Sequence, residues 1–252
     1  MIIAPKYIWL DKTNSTNSAL AAIANECEHG TVIATHNQTA GRGQRGNTWE
    51  AQPGENLTFS ILLRPLHISP RDQIAISEIV SVAIVNDLRN YITTQPIAIK
   101  WPNDIYVNDL KICGILIENA LSASSITHSI AGIGINVNQQ HFLSDAPNPV
   151  SIVNITHSAT NLETLLDQVC CEILRLSAWA ITPETLQQLH AQYCSMLWRR
   201  SGFHSYFDCI ANQPIQAQLD NVATNGILSL RLQDGQVRSY AFKEIKAILW
   251  CG

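Results

Sequence analysis

The apolar pattern of the chain changes from a helical period to a period of two after Ser201-Gly202. Upstream, Leu162, Leu165, Leu166, Val169, Cys170, Ile173 and Leu174 recur at i, i+3, i+4 spacing. Leu186, Leu189, Tyr193 and Met196 do the same. Both stripes predict amphipathic helices. Downstream, Ile215, Ala217 and Leu219 alternate with polar neighbours, as do Leu228, Leu230 and Leu232, and Tyr240 and Phe242 near the end. That is the period of half-buried strands. The chain is therefore expected to divide into a main domain over 1–200 and a small antiparallel β domain over 203–252.

Within the main region, strands are expected at Tyr7–Leu10, Thr31–Thr35, Leu57–Leu63, Ile97–Trp101 and Ile126–Val137. Ile105–Val107 and Ile112–Ile117 flank Asn108-Asp109, a hairpin signal. Ser15-Thr16-Asn17 precedes Leu20, Ile23, Ala24 and Cys27 at helical spacing, which places these polar residues at a helix N-terminus. Residues 72–92 read as a buried helix. Residues 38–54 and 138–150 read as loops. Strands and helices do not alternate strictly, so the fold class expected is α+β, a mixed sheet with flanking helices.

Hydrophobic residues make up 46% of the chain and charged residues 14%, enough for a sizeable core and too apolar for disorder. The net charge of −4 argues against a general nucleic-acid or membrane binder. The seven cysteines include no Cys-x-x-Cys pair, and their pattern suits small buried thiols in a reducing compartment. No signal peptide or membrane span is read, and a cytoplasmic location is expected.

Four segments can carry chemistry. Gly41-Arg42-Gly43-Gln44-Arg45-Gly46 matches G-x-G-x-x-G. It lacks the strand immediately before it, the helix after it and the ribose-binding acid of a dinucleotide site. Its glycines allow close backbone approach, and its arginines can fork onto phosphate or carboxylate oxygens; a surface turn with solvated arginines explains it equally well. Lys100-Trp101-Pro102-Asn103-Asp104 forms a rigid corner, and Lys111 returns to the same side across the hairpin. Alone, this reads more readily as a turn with a surface ion pair. Gly132 and Gly134 within a strand mark a close approach, by a ligand or by packing. Ser15-Thr16-Asn17 suits an anion or urea-like ligand, although simple capping is commoner.

Taken in order, Ser15-Thr16-Asn17, then Gln38-Thr39-Ala40-Gly41-Arg42-Gly43-Gln44-Arg45-Gly46 with Trp49, then Lys100-Trp101-Pro102-Asn103-Asp104 with Lys111 and Gly114, then Gly132-Ile133-Gly134-Ile135-Asn136 resembles the catalytic domain of biotin–protein ligases. Asn-Pro-Val-Ser at 148–151 also fits. The tail resembles the family's small SH3-like β-barrel in length and strand pattern.

The resemblance implies an enzyme that uses ATP, Mg2+ and biotin. It would form biotinyl-AMP and pass the biotin to a lysine of a biotin carboxyl carrier protein or domain, that of acetyl-CoA carboxylase or another biotin-dependent carboxylase. It implies Arg42, Lys111 and Asp104 as catalytic residues. Arg42 and Lys111 would hold the carboxylate and α-phosphate; Asp104 would orient or deprotonate the incoming lysine. Ser15, Thr16 and Gln38 would bond the ureido ring, with Asn17, Gly41, Gly43 and Gln44 in the same biotin-binding set. Gly114, Gly132 and Gly134 would line the apolar tail, beside Arg42 and Lys111. The ATP-binding set would be Arg42, Arg45, Trp49, Lys100, Asn103 and Asn136, with no metal ligand set supplied by the protein.

Many family members carry arginine where this chain has Gln44, and Arg45 is the nearest substitute. The pattern starts almost at residue 1, so no DNA-binding domain, repressor role or membrane partner is expected. A monomer and a weak homodimer both fit. Two other readings stand beside this one: a lipoate- or octanoate-handling ligase or transferase of related fold, and a non-catalytic nucleic-acid-binding module contacting its ligand through the Arg-Gly segment.

Overall fold

The computed structural model describes residues 3–43, 48–64, 68–122, 125–143 and 147–249. β1 (Lys6–Leu10), α1 (Thr16–Ile23) and β2 (Thr31–Thr35) come first, followed by β3 (Leu57–Leu63) and α2 (Ile74–Tyr91). β4 (Ile97–Lys100), β5 (Asp104–Val107), β6 (Leu110–Ser122) and β7 (Ser125–Ile135) form a meander. α3 (Ile152–Thr156), α4 (Leu162–Trp179) and α5 (Pro183–Ser195) lead into β8 (His204–Asp208), β9 (Gln213–Val222), β10 (Leu228–Leu232), β11 (Val237–Tyr240) and β12 (Ile245–Ala247).

β1 to β7 build one seven-stranded sheet in the order β1-β2-β3-β7-β6-β5-β4. Only the β1–β2 pairing is parallel among these strands, so the sheet is mixed, as the sequence reading expects. The strands β8 to β12 form a five-stranded antiparallel sheet, order β11-β10-β9-β8-β12, in agreement with the small β unit read from the tail.

All seven residues of β3 are buried. Leu57, Phe59, Ile61 and Leu63 join the large core with α2 and α4. Leu62 packs with Leu20, Ala24, Ile33 and Ile130 beneath α1. The strand period of two thus sends alternate residues to opposite faces. On the α1 face the intervening positions are Thr58 and Ser60, two polar residues in an otherwise apolar strand. The large core also takes in Tyr206, Ala217, Leu228, Leu230 and Tyr240, so buried side chains of both sheets are contiguous.

Several boundaries differ from the sequence reading. β4 ends at Lys100 rather than Trp101, because Pro102 follows and has no N–H to donate. β6 runs to Ser122, because β7 pairs with it from Cys113 to that residue. α3 falls where no helix was expected; its five residues are too few to show a periodic stripe, and a capping box between Ser151 and Asn154 holds it. Asn108 takes a positive φ of 53° at the expected hairpin, a conformation Asn tolerates. No helix among the described residues is long and apolar enough to cross a membrane.

Candidate functional site

A cavity of about 910 Å³ opens over the α1 face of the sheet. Its walls follow from strand register. Across β3, β7 and β6, Thr58 lies beside Gly134 and Gly134 beside Gly114. One step along, Ser60 lies beside Gly132 and Gly132 beside Leu116. Glycine at the middle of both rows leaves slots above the sheet.

Asn17 fills the first slot. A Cβ on Gly132 would sit 2.1 Å from Asn17 Oδ1. From there the Asn17 amide donates to Glu118 Oε2 at 2.6 Å and reaches the Leu116 carbonyl at 3.4 Å, while its Oδ1 lies 2.6 Å from Ser60 Oγ. Trp49 fills the second slot: a Cβ on Gly134 would sit 2.3 Å from its indole, and one on Gly114 at 2.8 Å. Gly132, Gly134 and Gly114 still border the cavity, but the side chains seated on them are Asn17 and Trp49. The three glycines thus line the cavity, and a slot without a side chain is filled by the nearest neighbour that fits.

Ser15 caps α1 and accepts from the Ser18 N–H at 3.5 Å. Gln38 Oε1 accepts the Thr16 N–H at 2.9 Å, so Gln38, 22 residues away in the chain, belongs to the same wall. Arg42 reaches Ser18 Oγ at 3.1 Å and Glu118 Oε2 at 3.4 Å, and it borders the cavity with Gly43. Gly41 does not border it; the Trp49 N–H donates to the Gly41 carbonyl at 3.0 Å. A Cβ there would meet the Trp49 carbonyl oxygen at 2.5 Å, so Gly41 shapes the loop. Gln44 and Arg45 lie outside the described residues.

The opposite wall is charged. The hairpin turns β6 back so that Lys111 Nζ lies 2.8 Å from Asp104 Oδ1, and the same ammonium stands 5.8 Å from the Trp49 ring centroid. Lys100 Nζ donates to Tyr106 Oη at 3.1 Å. Asn103 is buried and donates to the Ile115 carbonyl at 2.9 Å, so it braces the Lys-Trp-Pro-Asn-Asp corner. Asn148–Val150 pairs with the backbone of Lys111 on both sides, which explains the Asn-Pro-Val-Ser segment.

Asn136 donates to the Val150 carbonyl at 3.1 Å. Its Oδ1 and the Trp49 Nε1 are buried without a hydrogen-bond partner among the described residues. An uncommitted amide oxygen in a cavity also lined by Lys100 and Lys111 suits a nucleobase amine or a hard cation brought in with phosphates.

Sequence reasoning missed six contributors. Thr58 and Ser60 were legible as polar residues two apart in a buried strand. Trp198, Phe242 and Lys246, which border the cavity from the C-terminal side, carry no local signal. Glu118 is reached only through the β3–β7–β6 register. Burial pushes the Cys113 thiol well above the ordinary range, so this cysteine is inert packing.

The profile of the Biotin/lipoate A/B protein ligase family matches residues 9–136. The "Bifunctional ligase/repressor BirA" of Bacillus spizizenii is 35% identical over 141 residues, which are 55% of this chain and 42% of that protein. The chain therefore aligns with less than half of that relative's length. The "Biotin--[acetyl-CoA-carboxylase] ligase" of Paracoccus denitrificans is 30% identical over 182 residues, 67% of this chain and 72% of that protein. Among solved structures, a biotin protein ligase of Aquifex aeolicus in complex with biotin and ATP matches with a TM-score of 0.80 and 23% identity, covering 96% of this chain and 99% of that one. That likeness shows the fold.

Proposed function

From the premise that this chain belongs to the biotin/lipoate A/B protein ligase family, we propose that it activates biotin with ATP and transfers it to a carrier lysine. The observation that carries this reading is one continuous cavity with a hydrogen-bonding neutral wall at Thr16, Asn17 and Gln38 and a cationic wall at Lys111 and Lys100. A bicyclic urea with a carboxylate tail spans such a pair of walls, and a nucleotide fits the cationic side. In the first step a biotin carboxylate oxygen attacks the α-phosphorus of ATP, and the bond to the pyrophosphate oxygen breaks. In the second, a neutral lysine amine attacks the acyl carbon and AMP leaves.

Lys111 is placed to neutralise charge on the α-phosphate and on the departing groups. Asp104, beside it, takes the proton of the incoming amine. Arg42 swings from Glu118 onto the carboxylate and phosphate when they are present. Thr16 and Gln38 bond the urea, and Trp49 packs against the nucleotide. Asn136 Oδ1 would accept from a nucleobase amine or help to hold the Mg2+ that accompanies ATP, and that ion would offset phosphate charge. The acceptor is the biotin carboxyl carrier domain of a carboxylase.

Biotin-dependent exchange of labelled pyrophosphate into ATP tests the first step. Exchange with biotin, and not with lipoate or octanoate, is expected. Exchange with lipoate or octanoate alone would replace the substrate, and no exchange with any acid would end the reading.

A further inference from the structure

Glu118 does not border the cavity, and its only part above is as the group that Arg42 leaves. We propose that it is a positioning residue: its carboxylate sets the direction of a chain of hydrogen bonds that ends at the ligand, and so makes the site select a urea. The inference rests on the biotin reading of this cavity.

The argument is one of counting protons. Glu118 Oε2 sits 2.6 Å from Asn17 Nδ2 and 3.4 Å from Arg42 Nη2. An ionised carboxylate only accepts. Asn17 must therefore turn its NH2 toward Glu118 and its Oδ1 toward Ser60 Oγ, 2.6 Å away. Ser60 carries one proton and has two oxygens in reach, Asn17 Oδ1 and Thr16 Oγ1 at 2.7 Å. An amide oxygen has no proton to offer, so the Ser60 proton goes to Asn17. Ser60 then accepts the Thr16 hydroxyl proton. Thr16 Oγ1 is left with lone pairs toward the cavity, an acceptor for an N–H.

Gln38 is fixed in the opposite sense. Its Oε1 accepts the Thr16 backbone N–H at 2.9 Å, so its Nε2 is a donor. An acceptor and a donor side by side match the N–H and C=O of a urea. Ser60 is fully buried and Asn17 nearly so, so no water competes for these bonds and an inverted direction would leave two oxygens or two N–H groups facing each other.

Without the carboxylate, only the longer contact to the Leu116 carbonyl, 3.4 Å against 2.6 Å for Glu118, holds the Asn17 NH2 in place, and Asn17 can turn over. Ser60 then accepts from Asn17 and donates to Thr16, and the Thr16 proton points at Gln38 Oε1, 3.4 Å away, or at the ligand. Thr16 is no longer held as an acceptor.

The test compares biotin with its two cyclic-carbamate analogues, in which one ring N–H is replaced by oxygen, in the pyrophosphate-exchange assay. Glu118→Met and Ser60→Ala break the chain at its far end and its middle. Each is expected to lower the biotin-to-carbamate ratio of kcat/KM at least about tenfold through a raised biotin KM, with kcat for biotin held within about threefold. Glu118→Gln keeps an acceptor oxygen and is expected to retain most of the ratio. If Glu118→Met does not fold, Ser60→Ala decides alone. Wild-type ratios in the folded variants, or a fall confined to kcat, would overturn the inference while leaving the biotin reading intact. Absence of biotin-dependent exchange in the wild-type chain would overturn both.

Discussion

On the α1 side of the cavity, the side chains of Thr16, Asn17 and Ser60 are buried and hydrogen-bonded to one another and to Gln38 and Glu118. On the side of Lys111, Trp49 Nε1 and Asn136 Oδ1 are buried with no hydrogen-bond partner among the described residues. A buried orphan costs about 1–3 kcal/mol, so the two walls carry different debts. The first is complete before ligand arrives and presents a fixed pattern to a neutral group. The second has open valences and two ammonium groups, which suits a ligand that brings its own oxygens, amines and counter-ion and leaves again as pyrophosphate and AMP.

The largest effect should come from the charged wall. Lys111→Ala is expected to reduce kcat for pyrophosphate exchange about 10²–10³-fold, measured at saturating ATP, with biotin affinity by calorimetry nearly unchanged. Comparable losses in both would mean that the walls are not separable.

The two glycine rows sharpen the contrast. At Gly132 an added Cβ meets Asn17, which is held from three sides and cannot step away. Gly132→Ala is therefore expected to raise the biotin KM at least about tenfold and to cost about 1–3 kcal/mol in urea unfolding. At Gly134 the Cβ meets the Trp49 indole, a half-buried ring on a loop. Gly134→Ala should cost less stability, and its kinetic penalty should fall on ATP. A biotin KM more sensitive to Gly134→Ala than to Gly132→Ala would reverse the assignment of the walls.

The smallest effect concerns the seam between the charged wall and the C-terminal sheet. His190 on α5 places Nδ1 2.7 Å from Glu78 Oε1 on α2 and Nε2 2.9 Å from the Val222 carbonyl on β9. Both neighbours are acceptors, so both ring nitrogens carry protons. The Cys194 thiol and the Glu78 carboxylate raise the His190 pKa from 6.5 to about 10. A raised folded-state pKa means that this stabilisation is fully present below pH about 6.5 and is lost as pH climbs through about 10. His190→Gln should lower Tm by about 2–4 °C at neutral pH, and the gap to wild type should close toward pH 10.5. A gap that stays constant across that range would show that the imidazolium is not the source. The same variant should shift the ATP KM more than the biotin KM, because β9 leads to Gly226, whose carbonyl accepts the Trp101 Nε1–H at 3.2 Å next to Lys100.

How much of this was legible depended on range. α4 and α5 followed from apolar stripes within one segment, and the β4–β6 meander from Pro102 and Asn108-Asp109. The approach of Lys111 to Asp104 needed only that hairpin, a loop of a few residues. Gln38 joined Thr16 by resemblance and not by any local pattern. The placement of Trp49 over Gly114 and Gly134, and of Asn17 over Gly132, had no reading in the sequence, because a glycine in a strand announces a vacancy without naming its occupant.

The sequence by itself determined the elements, the change from helical to strand period near Ser201, and which residues had the chemistry to bind a urea, a carboxylate and a phosphate. Those properties are set by propensity, turn chemistry and side-chain type, all of which act over a few residues. Only the tertiary structure decided that Ser60, Gly132 and Leu116 stand in one row, that Glu118 reaches Asn17 across it, and that Phe242 packs edge-on to Trp101 at the border of the same cavity. A strand slipped by one residue would turn all of these side chains to the other face. That register comes from burying both faces of β3 at once, a property of the whole core and of no segment in it.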